Sequence, residues 1–202
     1  MSKLTAGFDD PVHDAQQVFR ELMDAMSQPG KRIAVKHASR FGKASYAATQ
    51  VLLTLADNAT PLWLSGYFRD DEALVENIRF HCAAPVIAEK SEATFALAQG
   101  VELEGVKAFA MGCESYPDKS TTLILEVESL DEGVTFSLTG PGIPTTAQLA
   151  VKGLNESLLA SLQTERSAFP HGIDILFTSG HEVVALPRST NLTLKSTEAT
   201  CM

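Results

Sequence analysis

Cysteine is scarce in this chain: Cys82, Cys113 and Cys201 are the only three in 202 residues. They are odd in number, far apart and form no C-x-x-C. Neither a disulfide framework nor a zinc site is legible, and reduced thiols are expected. No run approaches the roughly 18–20 apolar residues that a membrane span requires. Met1 to Asp10 has no apolar core ahead of its acidic pair, so no secretory signal is expected. Basic residues are in deficit, 16 Lys and Arg against 25 Asp and Glu, giving a formal net charge of −9 and a pI near 5.0. That balance lacks the clustered cations of a nucleic-acid binder. A cytoplasmic protein without nucleic-acid or membrane partners is the expectation.

The common chemical motifs are missing as well. No G-x-x-x-x-G-K-[ST] occurs, and Gly140-Pro141-Gly142 lacks the third glycine of G-x-G-x-x-G. Without G-x-S-x-G, the hydrolase nucleophile elbow is excluded in its usual form. His13, His37, His81, His171 and His181 do not pair at ligand spacing, so no metal centre is expected.

What is present is ordinary globular material, 45% apolar and 20% charged, long enough for one domain with its own core. Residues 1–11 and 195–202 are expected to be flexible ends of a single domain spanning 1–202. A first helix is expected behind Asp14, with Gln17 in capping-box position and an apolar stripe at Val18, Leu22 and Met26, widened by Phe19 and Met23. Further helices are predicted over 45–57, from the acidic turn at Asp70–Glu72 to about Phe80, and over 154–166. Strands are predicted over 31–36, 62–64, 86–88, 94–98, 121–128 and 134–138, and Ile173–Thr178 and Glu182–Leu186 read as a hairpin turning at Gly180. Residues 100–120 read as loop. Helices early, alternation in the middle and clustered strands late predict an α/β protein, a three-layer α/β/α arrangement with a mixed sheet.

Candidate functional residues sit at element ends. Arg79 and His81 close a helix, where cations suit its dipole, and Arg20 lies beside the first apolar stripe. Asp174, among Ile173, Ile175 and Leu176, requires a partner if buried. Arg188, with five fixed donors, is its obvious mate or else an anion ligand. Both readings stand. Leu138-Thr-Gly-Pro-Gly-Ile143 permits unusual backbone angles that suit an anion or a close-packed backbone. With no third glycine and no following lysine, Gly140 and Gly142 favour a rigid corner, anion binding being the lesser reading. No nucleophile–base pair emerges.

Nine segments in order carry a resemblance: Val12–Gln16, Phe19-Arg20 with Ala25–Gly30, Val51–Asn58, Thr60–Ser65, Arg79–His81, Thr122–Leu125, Leu138–Ile143, Phe169–Asp174 and Ala185–Thr190. Together they resemble the PhnH family, a subunit of the bacterial carbon–phosphorus lyase core complex. The resemblance implies a role in phosphonate catabolism. With its partner subunits, such a protein is needed to transfer ribose 5-triphosphate from ATP to an alkylphosphonate, giving alpha-D-ribose 1-methylphosphonate 5-triphosphate. It implies PhnG, PhnI, PhnJ and PhnL homologues as partners, and a homodimer in isolation. It also implies a structural or assembly role within a multi-subunit transferase, with no activity alone; the alternative is an anion- or nucleotide-binding subunit with a site near Asp174 and Arg188. The family fold resembles type I pyridoxal-phosphate transferases without the cofactor. Lys90, Lys107, Lys119, Lys152 and Lys195 all lie outside the nine segments, so no Schiff-base lysine and no cofactor are expected. The family supplies no catalytic residues to carry over. Arg20, Arg79, His81, Asp174 and Arg188 lie inside matching segments as candidates only.

Overall fold

The computed structural model describes residues 4–195; the expectations for residues 1–3 and 196–202, and for Cys201, fall outside them. In chain order the elements are α1 (Pro11–Ser27), β1 (Arg32–Ala34), α2 (Tyr46–Leu55), β2 (Leu62–Leu64), α3 (Gly66–Arg69), α4 (Glu72–His81), β3 (Val86–Ile87), β4 (Phe95–Gln99), β5 (Met111–Cys113), β6 (Tyr116–Ser120), β7 (Thr122–Glu126), β8 (Ser129–Thr139), β9 (Ala147–Lys152), α5 (Glu156–Thr164), β10 (Ser167–Ala168), β11 (His171–Gly172), β12 (Asp174–Ser179), β13 (Glu182–Leu186) and β14 (Asn191–Leu194). Among the described residues no helix is long and apolar enough to cross a membrane.

The helices start where short polar side chains can satisfy their first N–H groups. Ser45 caps α2 by accepting from the Ala48 N–H, Asp71 caps α4 and Asn155 caps α5. The first helix differs from expectation. Its cap is Asp10, accepting from the His13 N–H, and Pro11 takes the first turn, where a missing N–H costs nothing.

A seven-stranded mixed sheet runs in the order β1-β13-β12-β7-β4-β2-β3. Five neighbouring strands, β12 to β3, are parallel, and β13 alone runs against the rest, because the Gly180 turn returns it antiparallel beside β12. Both faces are buried, as parallel strands require. Ile124, Leu176, Val183 and Ala185 point to one face, under Val18 and Leu22 of α1, Val51 and Leu52 of α2, and Leu74 and Ile78 of α4. Leu123, Leu125, Ile175, Phe177, Val184 and Leu186 point to the other.

That second face corrects the expected three layers. It is covered mainly by a three-stranded antiparallel sheet, β14-β8-β9, with Leu158, Leu159 and Leu162 of the short helix α5 as a helical contribution. The reason lies in β8, where Phe136 and Leu138 alternate with exposed or half-buried neighbours, so one face of the ribbon is apolar and must bury. Residues 100–120, read as loop, also hold a hairpin, β5–β6. The α/β class and the mixed sheet stand.

The amino-terminal arm is held at its base. The Thr5 N–H donates to Asn77 Oδ1 at 2.8 Å, its carbonyl lies 2.9 Å from His81 Nε2, and Phe8 bridges to Ala38.

Candidate functional site

The sheet brings together two of the residues singled out in the sequence. Ile175 pairs with Leu186 across the β12–β13 ladder, so Asp174 lies where the chain leaves β13 through Pro187. Both Asp174 and Arg188 are largely buried at the side chain, 14% and 16% exposed. The Arg188 backbone N–H donates to Asp174 Oδ1 at 2.7 Å, Nη2 donates to Oδ2 at 2.5 Å, and Nε lies 3.2 Å from both oxygens. Nη1 donates to the Pro117 carbonyl. This is a forked, charge-assisted pair whose donors are committed inside the protein.

Above the pair lies a cleft of about 350 Å³ lined by Pro117, Asp118, Phe169, Pro170, Asp174, Pro187, Arg188 and Ser189. Its walls are mostly apolar. The Phe169–Pro170 peptide is cis, and the Phe169 ring is 71% exposed.

Beneath the same loop lies Arg166, which sequence reasoning missed. It is only 2% exposed, with Nη1 2.9 Å from the Pro187 carbonyl and Nη2 donating to the Thr190 carbonyl. Burial pulls its pKa down to about 10, opposed by the nearby Asp174 charge, so it stays cationic at neutral pH. Its Nε has no partner. In the sequence it is only the last residue of the predicted helix over 154–166; the folded loop reveals the carbonyls it serves.

Gly140 and Gly142 belong to this neighbourhood as packing. Gly140, at φ +139°, leaves no room for a Cβ, which would stand 2.9 Å from the Ser189 carbonyl oxygen. A Cβ on Gly142, at φ +80°, would stand 2.1 Å from the Ser27 carbonyl oxygen at the end of α1. The corner is where β8 passes against two other segments.

The remaining candidates lie elsewhere. Arg20 is exposed on α1, and Arg79 is exposed in the last turn of α4. His81 stacks on Phe41, ring centroids 4.9 Å apart, and holds the Thr5 carbonyl, which is a packing role for the arm.

The Asp174–Arg188 pair sits at the amino ends of the parallel strands, whereas open α/β sheets bind ligands beyond the carboxyl ends. At that opposite edge, Gln99 ends β4 and Glu126 ends β7. With Gly100, Val101, Val127, Glu128 and Gly153 they line a second cleft of about 260 Å³. Glu126 accepts from the Ser45 N–H at 2.8 Å, yet burial raises its pKa above the ordinary value of 4.5. Nearby in the same layer, the Ser65 hydroxyl donates to Glu102 Oε2 at 2.6 Å. A glutamate closing the apolar run Leu123–Leu125 is the one signal in the sequence that pointed here. Among the described residues no three His, Cys, Asp or Glu side chains converge as metal ligands. Cys82 is a buried thiol, its pKa pushed up to about 11 by desolvation, and Cys113 is exposed.

Comparison with known proteins gives a consistent picture. A family model described as bacterial phosphonate metabolism protein (PhnH) matches residues 6–193. The alpha-D-ribose 1-methylphosphonate 5-triphosphate synthase subunit PhnH of Rhizobium meliloti (strain 1021) is 41% identical over 193 residues, 93% of this chain and 94% of that protein. A putative C-P lyase subunit protein HtxG of Stutzerimonas stutzeri is 32% identical over 182 residues, 89% of this chain and 86% of that protein.

Proposed function

The chain belongs to the PhnH family of bacterial phosphonate metabolism proteins, and from that membership we propose that it is a subunit of an alpha-D-ribose 1-methylphosphonate 5-triphosphate synthase within the carbon–phosphorus lyase system. The observation that carries this reading is the 41% identity to a subunit of that name, sustained over almost the whole of both chains. Its role is structural, holding an assembly in which PhnG, PhnI, PhnJ and PhnL homologues are the partners, in the cytoplasm, with a homodimer as its isolated form. The commitment of Arg188 to Asp174 and to the Pro117 carbonyl supports the structural role, since it turns the guanidinium in the 350 Å³ cleft away from an anionic substrate. The finer likeness of fold, to type I pyridoxal-phosphate transferases without the cofactor, is part of this proposal and rests on the family resemblance.

The test is reconstitution. ATP and methylphosphonate are incubated with the partner subunits, with and without this chain, and with this chain alone. Turnover that requires the chain but never arises from it alone is the expected result. Unaided turnover overturns the assembly role, and unchanged turnover when the chain is omitted overturns the subunit assignment.

A second reading, an anion or nucleotide site at Asp174 and Arg188, rests on Arg188 lining the 350 Å³ cleft. Under it, Arg188→Ala abolishes nucleotide or phosphonate binding in calorimetry while the melting temperature holds. Under the structural reading, Arg188→Ala lowers the melting temperature, because the Asp174 carboxylate loses its partner in a largely buried place.

A further inference from the structure

The cleft over Asp174 and Arg188 has a chemistry that fits something other than a phosphonate. Its walls are three prolines, Pro117, Pro170 and Pro187, and the face of Phe169, a large ring left 71% exposed. The charges at its floor are already paired. The charge left over is negative. Asp118 lines the cleft, is exposed, and makes no hydrogen bond or ion pair among the described residues. Glu114, in the turn between β5 and β6, is also exposed and unpaired there. An anionic ligand entering the cleft would meet the Asp118 carboxylate while the Arg188 guanidinium is already held by Asp174, so the cleft disfavours it.

The surface continues beyond the cleft. Tyr116, the first residue of β6, is 54% exposed, and the β5–β6 hairpin packs beside β11, which follows Phe169 and Pro170. One exposed aromatic ring, rigid proline walls and the Asp118 carboxylate line the cleft, and the hairpin that carries Tyr116 packs beside it. The hairpin already holds one cation on a ring: Lys119 Nζ stands 4.5 Å from the centroid of Tyr116. Such sites accept a guanidinium that stacks on a ring while pairing with a carboxylate. Aromatic residues and arginine, set in pockets and ringed by weaker contacts, carry most of the energy of protein interfaces.

We propose that this face, with Phe169 and Asp118 at its centre, is the docking surface for a basic segment of a partner subunit, anchored by an arginine in the cleft. The inference rests on the subunit reading above and names where that assembly is held. Charge complementarity favours this occupant over a second copy of the chain: the unpaired charge in the cleft lining is the Asp118 carboxylate, and a second copy carries a formal net charge of −9.

The experiment measures the affinity of the full chain for a purified complex of its PhnG, PhnI and PhnJ homologues. Three variants are compared: Phe169→Ala, Asp118→Lys, and Phe80→Ala, an exposed ring on α4 that serves as the control. All three positions are exposed, so unchanged melting temperatures are required of each. Phe169→Ala is expected to weaken binding about 30-fold, the scale of an interface hot spot. Asp118→Lys is expected to weaken it at least roughly tenfold, with a loss that shrinks as salt is raised. Phe80→Ala leaves it unchanged. Wild-type binding that survives both cleft variants overturns the docking surface and leaves the subunit assignment standing. A dimer of the isolated chain that falls to monomer in Phe169→Ala assigns the face to a second copy and overturns the proposal. Failure of the wild type to bind the complex overturns the subunit assignment itself, and this inference with it.

Discussion

Arg166 and Glu126 are the two side chains whose charge the fold handles most unusually, and each leads to a measurable consequence. Replacing Arg166 by methionine keeps most of the volume but removes the donors to the Pro187 and Thr190 carbonyls. At about 1–3 kcal/mol for each of the two buried acceptors left alone, Arg166→Met is expected to cost roughly 2–6 kcal/mol in urea unfolding. An unchanged urea midpoint would show that water replaces the guanidinium. Glu126 acts through pH. Burial raises its folded pKa, so the native state holds a proton that the unfolded chain has already released. Stability from this group is therefore fully present below the ordinary value of 4.5 and is lost as pH rises through the raised folded value. Glu126→Gln keeps an oxygen for the Ser45 N–H and carries no charge. Its stability relative to wild type should rise between about pH 4 and pH 7, and a flat difference across that range would contradict the assignment. Of these residues, Asp174 and Arg188 could be matched in the sequence because a hairpin lays its two ends side by side. Arg166 could not, since its partners are backbone carbonyls about twenty residues away that mark no sequence.

Helices and strands were legible wherever one pattern dominated locally. Ser45, Asp71 and Asn155 each accept an N–H from the helix they precede, and the β12–β13 hairpin turns at Gly180. Residues 100–120 escaped because Tyr116-Pro-Asp-Lys-Ser120 is polar and contains a proline. Its strand is stabilised by pairing with Met111–Cys113 rather than by a buried face of its own. The Gly140-Pro-Gly142 corner was legible as a constraint, but what it constrains was not. The backbone it meets belongs to α1 and to the loop after β13, both distant in sequence. A pair of substitutions separates conformational strain from crowding. Gly180 has φ +56° and open space where a methyl group would stand, with nothing within 4 Å, so Gly180→Ala should cost about 1 kcal/mol from backbone strain alone. Gly142→Ala adds a 2.1 Å collision with the Ser27 carbonyl and should cost about 2–4 kcal/mol. Equal losses in thermal unfolding would mean that the corner yields freely and does not fix the approach of β8 to α1.

At the scale of the whole molecule, the central sheet is one layer shared by two cores. Along β7, Leu123 and Leu125 enter one core and Ile124 the other; along β12, Ile175 and Phe177 oppose Leu176. A strand cannot lose its side chains from one face and keep its ladder bonds on the other, so the two cores are mechanically linked through every central strand. The helical layer and the β8–β9–β14 layer are therefore expected to unfold together. The chain offers a one-sided reporter for this. Trp63, its sole tryptophan, packs with the second core, edge-on to Phe109 at 5.5 Å between ring centroids. Far-ultraviolet circular dichroism near the helical minimum reports mainly on α1, α2 and α4, which cover the first core. Urea unfolding followed by tryptophan fluorescence and by circular dichroism should give coincident midpoints and slopes, the signature of a single cooperative unit. A core truncation on the side away from Trp63, such as Ile78→Ala, should move both curves equally, by the midpoint change that corresponds to about 2–5 kcal/mol. If the dichroism midpoint shifted while the fluorescence midpoint stayed, the two faces would be separate cooperative units and the chain would not be one domain.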